Sequence, residues 1–194
     1  MWPAPCTLTG THVRLEPTSL DHSSGLAEAS TDGDLAALWY TSVPRPEDVE
    51  AEIVRRLALQ ERGQMTPFTT FDARTGMTLG MTTYMNVDAT NRRVEIGSTW
   101  LRQAGQRGPW NSEAKLLMLG HAFEALDCIA VEFRTHFMNR QSRAAIERLG
   151  AKLDGVLRSH QISPNGAVRD TACYSIIASE WPAVRAGLTH RLMR

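Results

Sequence analysis

The chain has 194 residues and a mass of 21.5 kDa, enough for one domain with a sizeable core. Its 21 Lys and Arg balance its 21 Asp and Glu, which argues against a broad nucleic-acid footprint and still permits a small anion site. Cys6, Cys128 and Cys173 stand far apart without metal spacing, as expected of free thiols in a reducing cytoplasm. No stretch approaches the roughly 20 apolar residues of a membrane span, and Met1–Cys6 lacks the character of a signal peptide.

In chain order, His12–Glu16 alternates polar and apolar and predicts a first strand after Gly10. Leu20–Ala29 and Asp34–Tyr40 read as short helical pieces parted by Asp32 and Gly33. Pro46–Leu57 predicts a helix, with Pro in its first turn, acids near its N-terminus and a stripe of Val49, Ile53 and Leu57. Pro67–Ala73 and Met77–Val87 predict strands joined at Arg74-Thr75-Gly76. Asp88–Arg92 turns into Val94–Leu101, a central strand.

A helix is expected from about Asn111 to Leu126, carrying Leu116, Leu119, Ala122, Phe123 and Leu126 on one stripe. Ile129–Phe137 alternates as a strand. A second helix then runs from an Asn139 N-cap to a Gly150 C-cap. Two strands flank the turn Pro164-Asn165-Gly166, and a last helix from near Ser179 carries Trp181, Val184, Leu188 and Leu192. The order predicts an α/β fold: one domain over 1–194, a mixed sheet with helices on both faces, and a right-handed parallel crossover in its middle.

Two strand-to-helix junctions carry the chemistry. Arg102–Lys115 is a basic loop containing Gly105 and Gly108 that runs from a strand into a helix. Free amides and the helix dipole make such a junction suited to phosphate. Asn139 sits at the second junction, where a side chain can hold a ligand as well as a helix end. Two such junctions in tandem suggest a nucleotide-like cofactor.

This order resembles the GNAT-type acyl-CoA N-acetyltransferase superfamily, and within it the RimJ/RimL-type branch of ribosomal-protein N-terminal acetyltransferases and relatives. The resembling stretches are Val94–Leu101, Asn111–Lys115, His121–Phe123, Asn139–Ser142, Arg148–Ala151, Arg169-Asp170 and Glu180–Pro182. The likeness implies a mostly antiparallel, twisted sheet of about seven strands with a splayed central pair. It implies acetyl-CoA as cofactor, no metal, and a primary amine as acceptor, on a protein N-terminus or a small molecule. It also implies a homodimer and a cytoplasmic protein without nucleic-acid or membrane partners. Two alternatives stand beside it: a non-catalytic acyl-CoA-binding module, and an acyltransferase using another donor such as succinyl-CoA.

The superfamily's pyrophosphate loop matches imperfectly here. Read from Arg102, Gly105 fits and Arg107 replaces the last glycine; read from Gln103, Gly108 fits and Gln106 replaces the earlier one. Arg107, Asn111 and Lys115 are therefore expected to contact phosphate through side chains. Thr99, Trp100 and Leu101 would pair through their backbone with the pantetheine arm and supply an oxyanion donor. Asn139 would touch that arm or a bound water.

The tyrosine acid of many members would fall at Ile146, so Ser142 is the expected proton donor to the thiolate, with Tyr174 as a second candidate. Glu95 is the candidate base, acting through water. It projects opposite to Val94 and Ile96, beside Gly97, which leaves room for substrate. A structural ion pair with an arginine on a neighbouring strand is the competing role for Glu95.

Trp39, Trp100, Trp110 and Phe68 are candidates to wall an acceptor pocket. Glu113 reads as a first-turn acid on the helix dipole, and His121 as a packed histidine. His136 and His160 have no partner at ligand spacing.

Overall fold

The computed structural model describes residues 2–33, 35, 43–163 and 166–193. Its elements are β1 (Leu8–Thr9), β2 (Val13–Pro17), α1 (Ser23–Thr31), α2 (Val49–Glu61), β3 (Met65–Asp72), β4 (Thr78–Asp88) and β5 (Arg93–Leu101). There follow α3 (Trp110–Gly120), β6 (Ala130–His136), α4 (Arg140–Leu149), β7 (Lys152–Ile162), β8 (Val168–Ile177) and α5 (Trp181–Leu192). The strands form one eight-stranded sheet in the order β1-β2-β3-β4-β5-β6-β8-β7. Every neighbouring pair is antiparallel except β5 and β6, which are parallel. The expected count of about seven omitted β1, a two-residue strand too short to alternate. The piece read at Asp34–Tyr40, apart from Leu35, lies outside the described residues, as do Trp39 and the Pro164-Asn165 pair of the late turn.

Two apolar cores sandwich the sheet. On one face, α3, α4 and α5 bring Met118, Leu119, Ile146, Leu149, Trp181 and Leu188 against Tyr84, Ile96, Val131, Phe133 and Tyr174. On the other, α1 and α2 bring Leu26, Ala29, Val49 and Ile53 against Met81 and Trp100. Covering both faces explains why every residue of β3 is buried.

Local chemistry sets the helix ends near the sheet's centre. The Asn139 carboxamide oxygen accepts from the Ser142 N–H at 2.9 Å, and Gly150 closes α4 in the left-handed region at φ 101°. At the start of α3, the buried Glu113 carboxylate accepts from the N–H groups of Thr11, His12 and Val13 at 2.9, 2.6 and 2.8 Å. Its role exceeds the dipole acid read in the sequence: it fastens the β1–β2 turn to α3.

The central parallel pair comes apart. β5 and β6 are in register only at Arg93 with Ala130, Val94 with Val131 and Glu95 with Glu132. β5 nevertheless runs on to Leu101 and β6 to His136. On its other side, β5 carries a bulge: Gly97 faces Thr83 and Trp100 faces Met81, and Ser98 takes a left-handed φ of 45° to fit the extra residue. From Ile96 onward, half of the β5 backbone N–H and C=O groups therefore point into a gap. The gap opens at the carboxyl ends of β5 and β6, the end from which α3 and α4 start. Ligands of open α/β sheets occupy such positions.

Candidate functional site

The junction loop divides into a tied half and a free half. Arg102 N–H donates to the Leu79 carbonyl, Gln103 N–H to the Asp32 carbonyl, Gly105 N–H to the Arg102 carbonyl and Gln106 N–H to the Gln103 carbonyl. The Ala104 N–H donates to the Asp32 carboxylate at 3.1 Å. The Arg102 guanidinium also holds Asp32, at 2.9 Å, and Glu28, at 3.2 Å. These bonds hold the Asp32 carboxyl below its ordinary range, with the Arg102 hydrogen bond as first cause. Arg102, Gln103 and Ala104 thus tie the loop to the end of α1, and the N–H groups of Arg102, Gln103 and Gly105 and the Arg102 guanidinium are engaged within the protein, away from the phosphate contacts expected of them.

The free half begins at Arg107. Among the described residues, the N–H groups of Arg107, Gly108, Trp110, Asn111 and Ser112 have no acceptor. The last three are the open first turn of α3. Arg107 sits at φ 62°, and a Cβ on Gly108 would lie 2.2 Å from the Trp110 ring. Trp110 is itself fixed, its indole N–H donating to Asp72 at 2.8 Å. Asp72 in turn caps the β3–β4 turn through the Arg74 and Thr75 amides, which hold its carboxyl down at about 2. Five donors at a helix N-terminus, flanked by the Arg107 side chain, have the chemistry to hold a diphosphate, and they begin five residues after the start of the reading from Arg102.

Lys115 does not face this cradle. Its ammonium is buried and donates to the Thr82 and Thr99 hydroxyls at 3.0 and 2.8 Å, which also bond one another at 2.8 Å. Burial alone pulls its pKa down to about 7. The side chain pins the β5 bulge from beneath, which corrects both the phosphate-contact and the solvated-charge readings.

Glu95 lies where the splay begins and is 4% exposed. Its Oε2 accepts from the Asn86 carboxamide at 2.6 Å and lies 3.5 Å from the Arg134 guanidinium. Desolvation raises its pKa above the ordinary value, opposed by the Asn86 hydrogen bond and the Arg134 charge. The structure therefore contains the ion pair weighed against catalysis, in a weak form: Arg134 lies closer to Glu132, at 2.9 Å. The room expected beside Gly97 is filled by this carboxylate and by Met85, since a Cβ on Gly97 would lie 2.9 Å from Glu95 Oε1 and 2.8 Å from the Met85 sulfur.

Ser142 stands in the first turn of α4, one turn ahead of Ile146 on the same helical side. Ile146 is buried in the core, so the position that carries an acid in many relatives is sealed. The Ser142 hydroxyl has no hydrogen bond among the described residues, whereas Tyr174 is committed: its hydroxyl accepts from Arg143 and donates to Glu147, both at 2.8 Å. Tyr174 is thereby removed as an alternative acid. Phe68 and Trp100 are core residues and Trp110 opens α3 with its indole bonded to Asp72, so these aromatics do not wall an acceptor pocket. The cleft of about 480 Å³ beside the β5 bulge is lined instead by Ser98 and by α2 with its approach, including Pro44, Asp48, Glu52 and Arg55. Nothing in the α2 helical pattern marked those residues as lining, because the cleft exists only once α2 lies over the sheet.

Residues 12–152 match the sequence profile of the acetyltransferase (GNAT) domain. A GCN5-related N-acetyltransferase from Brucella melitensis is 29% identical and superposes with a TM-score of 0.89, covering 98% of this chain and 86% of that one. The structure of RimL, a ribosomal L7/L12 alpha-N-protein acetyltransferase in complex with coenzyme A, covers 89% of this chain and 98% of its own with a TM-score of 0.76. At 18% identity that likeness speaks to the fold. The Bacillus subtilis (strain 168) protein named "Putative ribosomal N-acetyltransferase YdaF" is 31% identical over 106 residues, which span 55% of this chain and 57% of that protein. The chain thus matches little more than half the length of this curated relative. The profile covers most of the chain, including both strand-to-helix junctions, and the protein belongs to the GNAT acetyltransferase family of acyltransferases.

Proposed function

We propose that the protein is an acetyl-CoA-dependent N-acetyltransferase that acetylates a primary amine by direct attack within a ternary complex. The observation that carries this reading is the divergence of β5 and β6 beyond Glu95, next to five unpaired amides at the head of α3. The extended cofactor would lie in the gap. Arg107, Gly108 and Asn111 would hold its diphosphate, and the free edge of β5 from Ile96 to Leu101 would pair with its pantetheine arm as an added strand. The bound thioester supplies an acetyl group already activated for transfer.

The remaining work falls to the chain. Glu95, in its carboxylate form, which the Asn86 hydrogen bond and the Arg134 charge favour, accepts a proton from the ammonium through water and leaves the amine neutral. A backbone N–H of Thr99–Leu101, facing the gap, donates to the oxygen on which negative charge develops. Ser142 supplies a hydroxyl near the leaving sulfur, a modest aid, because a thiolate leaves with an ordinary pKa near 8.5. Asn139 stays a helix cap, its carboxamide oxygen already occupied by Ser142 N–H. The names of RimL and YdaF make a ribosomal-protein N-terminus the first acceptor to try. Thiol release from acetyl-CoA against a panel of N-terminal peptides and small amines tests the reading. Stimulated release supports it; coenzyme binding without turnover on any amine supports the non-catalytic module instead.

A further inference from the structure

The side of the sheet that carries Glu95 continues across β6 and β8 as a polar surface. Glu132, Arg134 and His136 of β6 are level with Ser175, Cys173 and Thr171 of β8, and Glu132 is level with Glu95. α1 and α2 lie over β3 and β4 on this side, and the other helices pack on the opposite face. Three arginines stand at this surface. Arg93 bonds Glu132 at 2.5 Å, and Arg134 is shared between Glu132 and Glu95.

Arg169 differs from the other two. Among the described residues its side chain makes one hydrogen bond, from Nη2 to the Thr171 hydroxyl at 3.3 Å, which fixes it on the Glu95 side. Its Nε is, among the described residues, a buried donor without an acceptor. Among the described residues no carboxylate lies within 4.0 Å of it, though its charge acts on both Glu95 and His136. A partly desolvated guanidinium without an anion is costly, and an orphaned buried donor beside a substrate gap calls for a partner from outside the chain. The fork geometry of guanidinium matches carboxylate or phosphate, and with the diphosphate assigned to the head of α3 a carboxylate is the partner for this position.

We propose that Arg169 anchors a carboxylate borne by one of the two reactants, holding it at the mouth of the gap beside Glu95. The assignment rests on the acyl-transfer reading and narrows it to an acidic amine or an acidic acyl group. Both sources present the same chemistry to Arg169 and differ in which substrate shows the preference.

The test uses the full chain, with Arg169→Gln and Arg169→Lys. One arm compares glutamate with glutamine amide as acceptors of acetyl groups. The other compares succinyl-CoA with acetyl-CoA against one neutral amine. A third titrates glutamate and succinate, and their amides, into CoA-loaded protein by NMR. The carboxylate-bearing member of at least one pair should be preferred by about tenfold or more, the scale of one charge-assisted hydrogen bond. That preference, read as the ratio of the two members within one variant so that any effect through Glu95 cancels, should fall to near unity in Arg169→Gln. Arg169→Lys keeps the cation without the fork and should remain folded while losing most of the preference. Absence of any carboxylate preference in all three arms overturns the proposal, as does a preference that survives in Arg169→Gln. A protein that releases no thiol with these pairs or with the panel of N-terminal peptides and small amines refutes the acetyl-transfer reading, and the titration arm still decides the anchor.

Discussion

Burial pushes the Glu95 carboxyl up, while Asn86 and Arg134 stabilise its ionised form. As the base, it should give kcat/KM an acid limb that falls as pH drops through this raised pKa. Glu95→Gln should cost roughly 10²-fold or more at neutral pH and erase that limb, with CoA affinity unchanged. A pH–rate profile with the same limb in the variant would remove Glu95 from the chemistry. Gly97→Ala pushes a methyl into the Glu95 and Met85 side chains, so turnover should fall more than stability does. Lys115 offers a separate test. Its pKa of about 7 lies below the ordinary 10.5, so the folded state disfavours its charge. Between these values the unfolded chain binds the proton that the folded chain releases, and stability should rise with pH from about 7 to 10. Urea midpoints measured across that range should climb for the wild type relative to Lys115→Met, which keeps the thiols that titrate in the same window; equal slopes would place the buried ammonium elsewhere.

At the scale of elements, the start of α3 is fixed from two directions, by Glu113 reaching the β1–β2 turn and by Trp110 bonding Asp72. Glu113→Ala leaves three amides, that of Val13 buried, without their acceptor and should destabilise the fold by about 2 kcal/mol. Thermal denaturation checks it; a loss well under 1 kcal/mol would mean that water replaces the carboxylate. The Asp72 contribution is present above the ordinary carboxylate range and is lost as pH falls toward about 2. The 3.6-residue stripe of α3, the Asn139 cap and the Gly150 stop were legible because each is local in sequence. Glu113 was not, since its partners lie about a hundred residues away. The tied half of the loop was hidden for the same reason: Arg102 looks like a phosphate ligand until Asp32 and Glu28 are brought beside it.

Across the whole molecule, alternation and turn residues define strands and do not state how long two strands stay paired. The mixed sheet was therefore readable, and its splayed pair entered through resemblance; the length of the gap follows from the register that stops at Glu95 and Glu132. The same limit applies to Arg169, whose missing partner is visible only with β6, β8 and β5 side by side. The exposed apolar side chains of edge strand β7, Leu153, Leu157 and Ile162, suit the homodimer that the resemblance implies, and we propose that face for it. Sedimentation should then give twice the single-chain mass at micromolar concentration, and a single-chain mass there would count against it.

Calorimetric titration of the folded protein with acetyl-CoA, beside the variant Asn111→Pro, probes the diphosphate cradle itself. Proline is tolerated in a first helical turn and deletes one of the free N–H groups. Saturable binding should weaken by about tenfold or more in the variant while its stability is kept. Folded protein that ignores acetyl-CoA and CoA at millimolar concentration, or binds them equally with and without the Asn111 amide, would contradict the account.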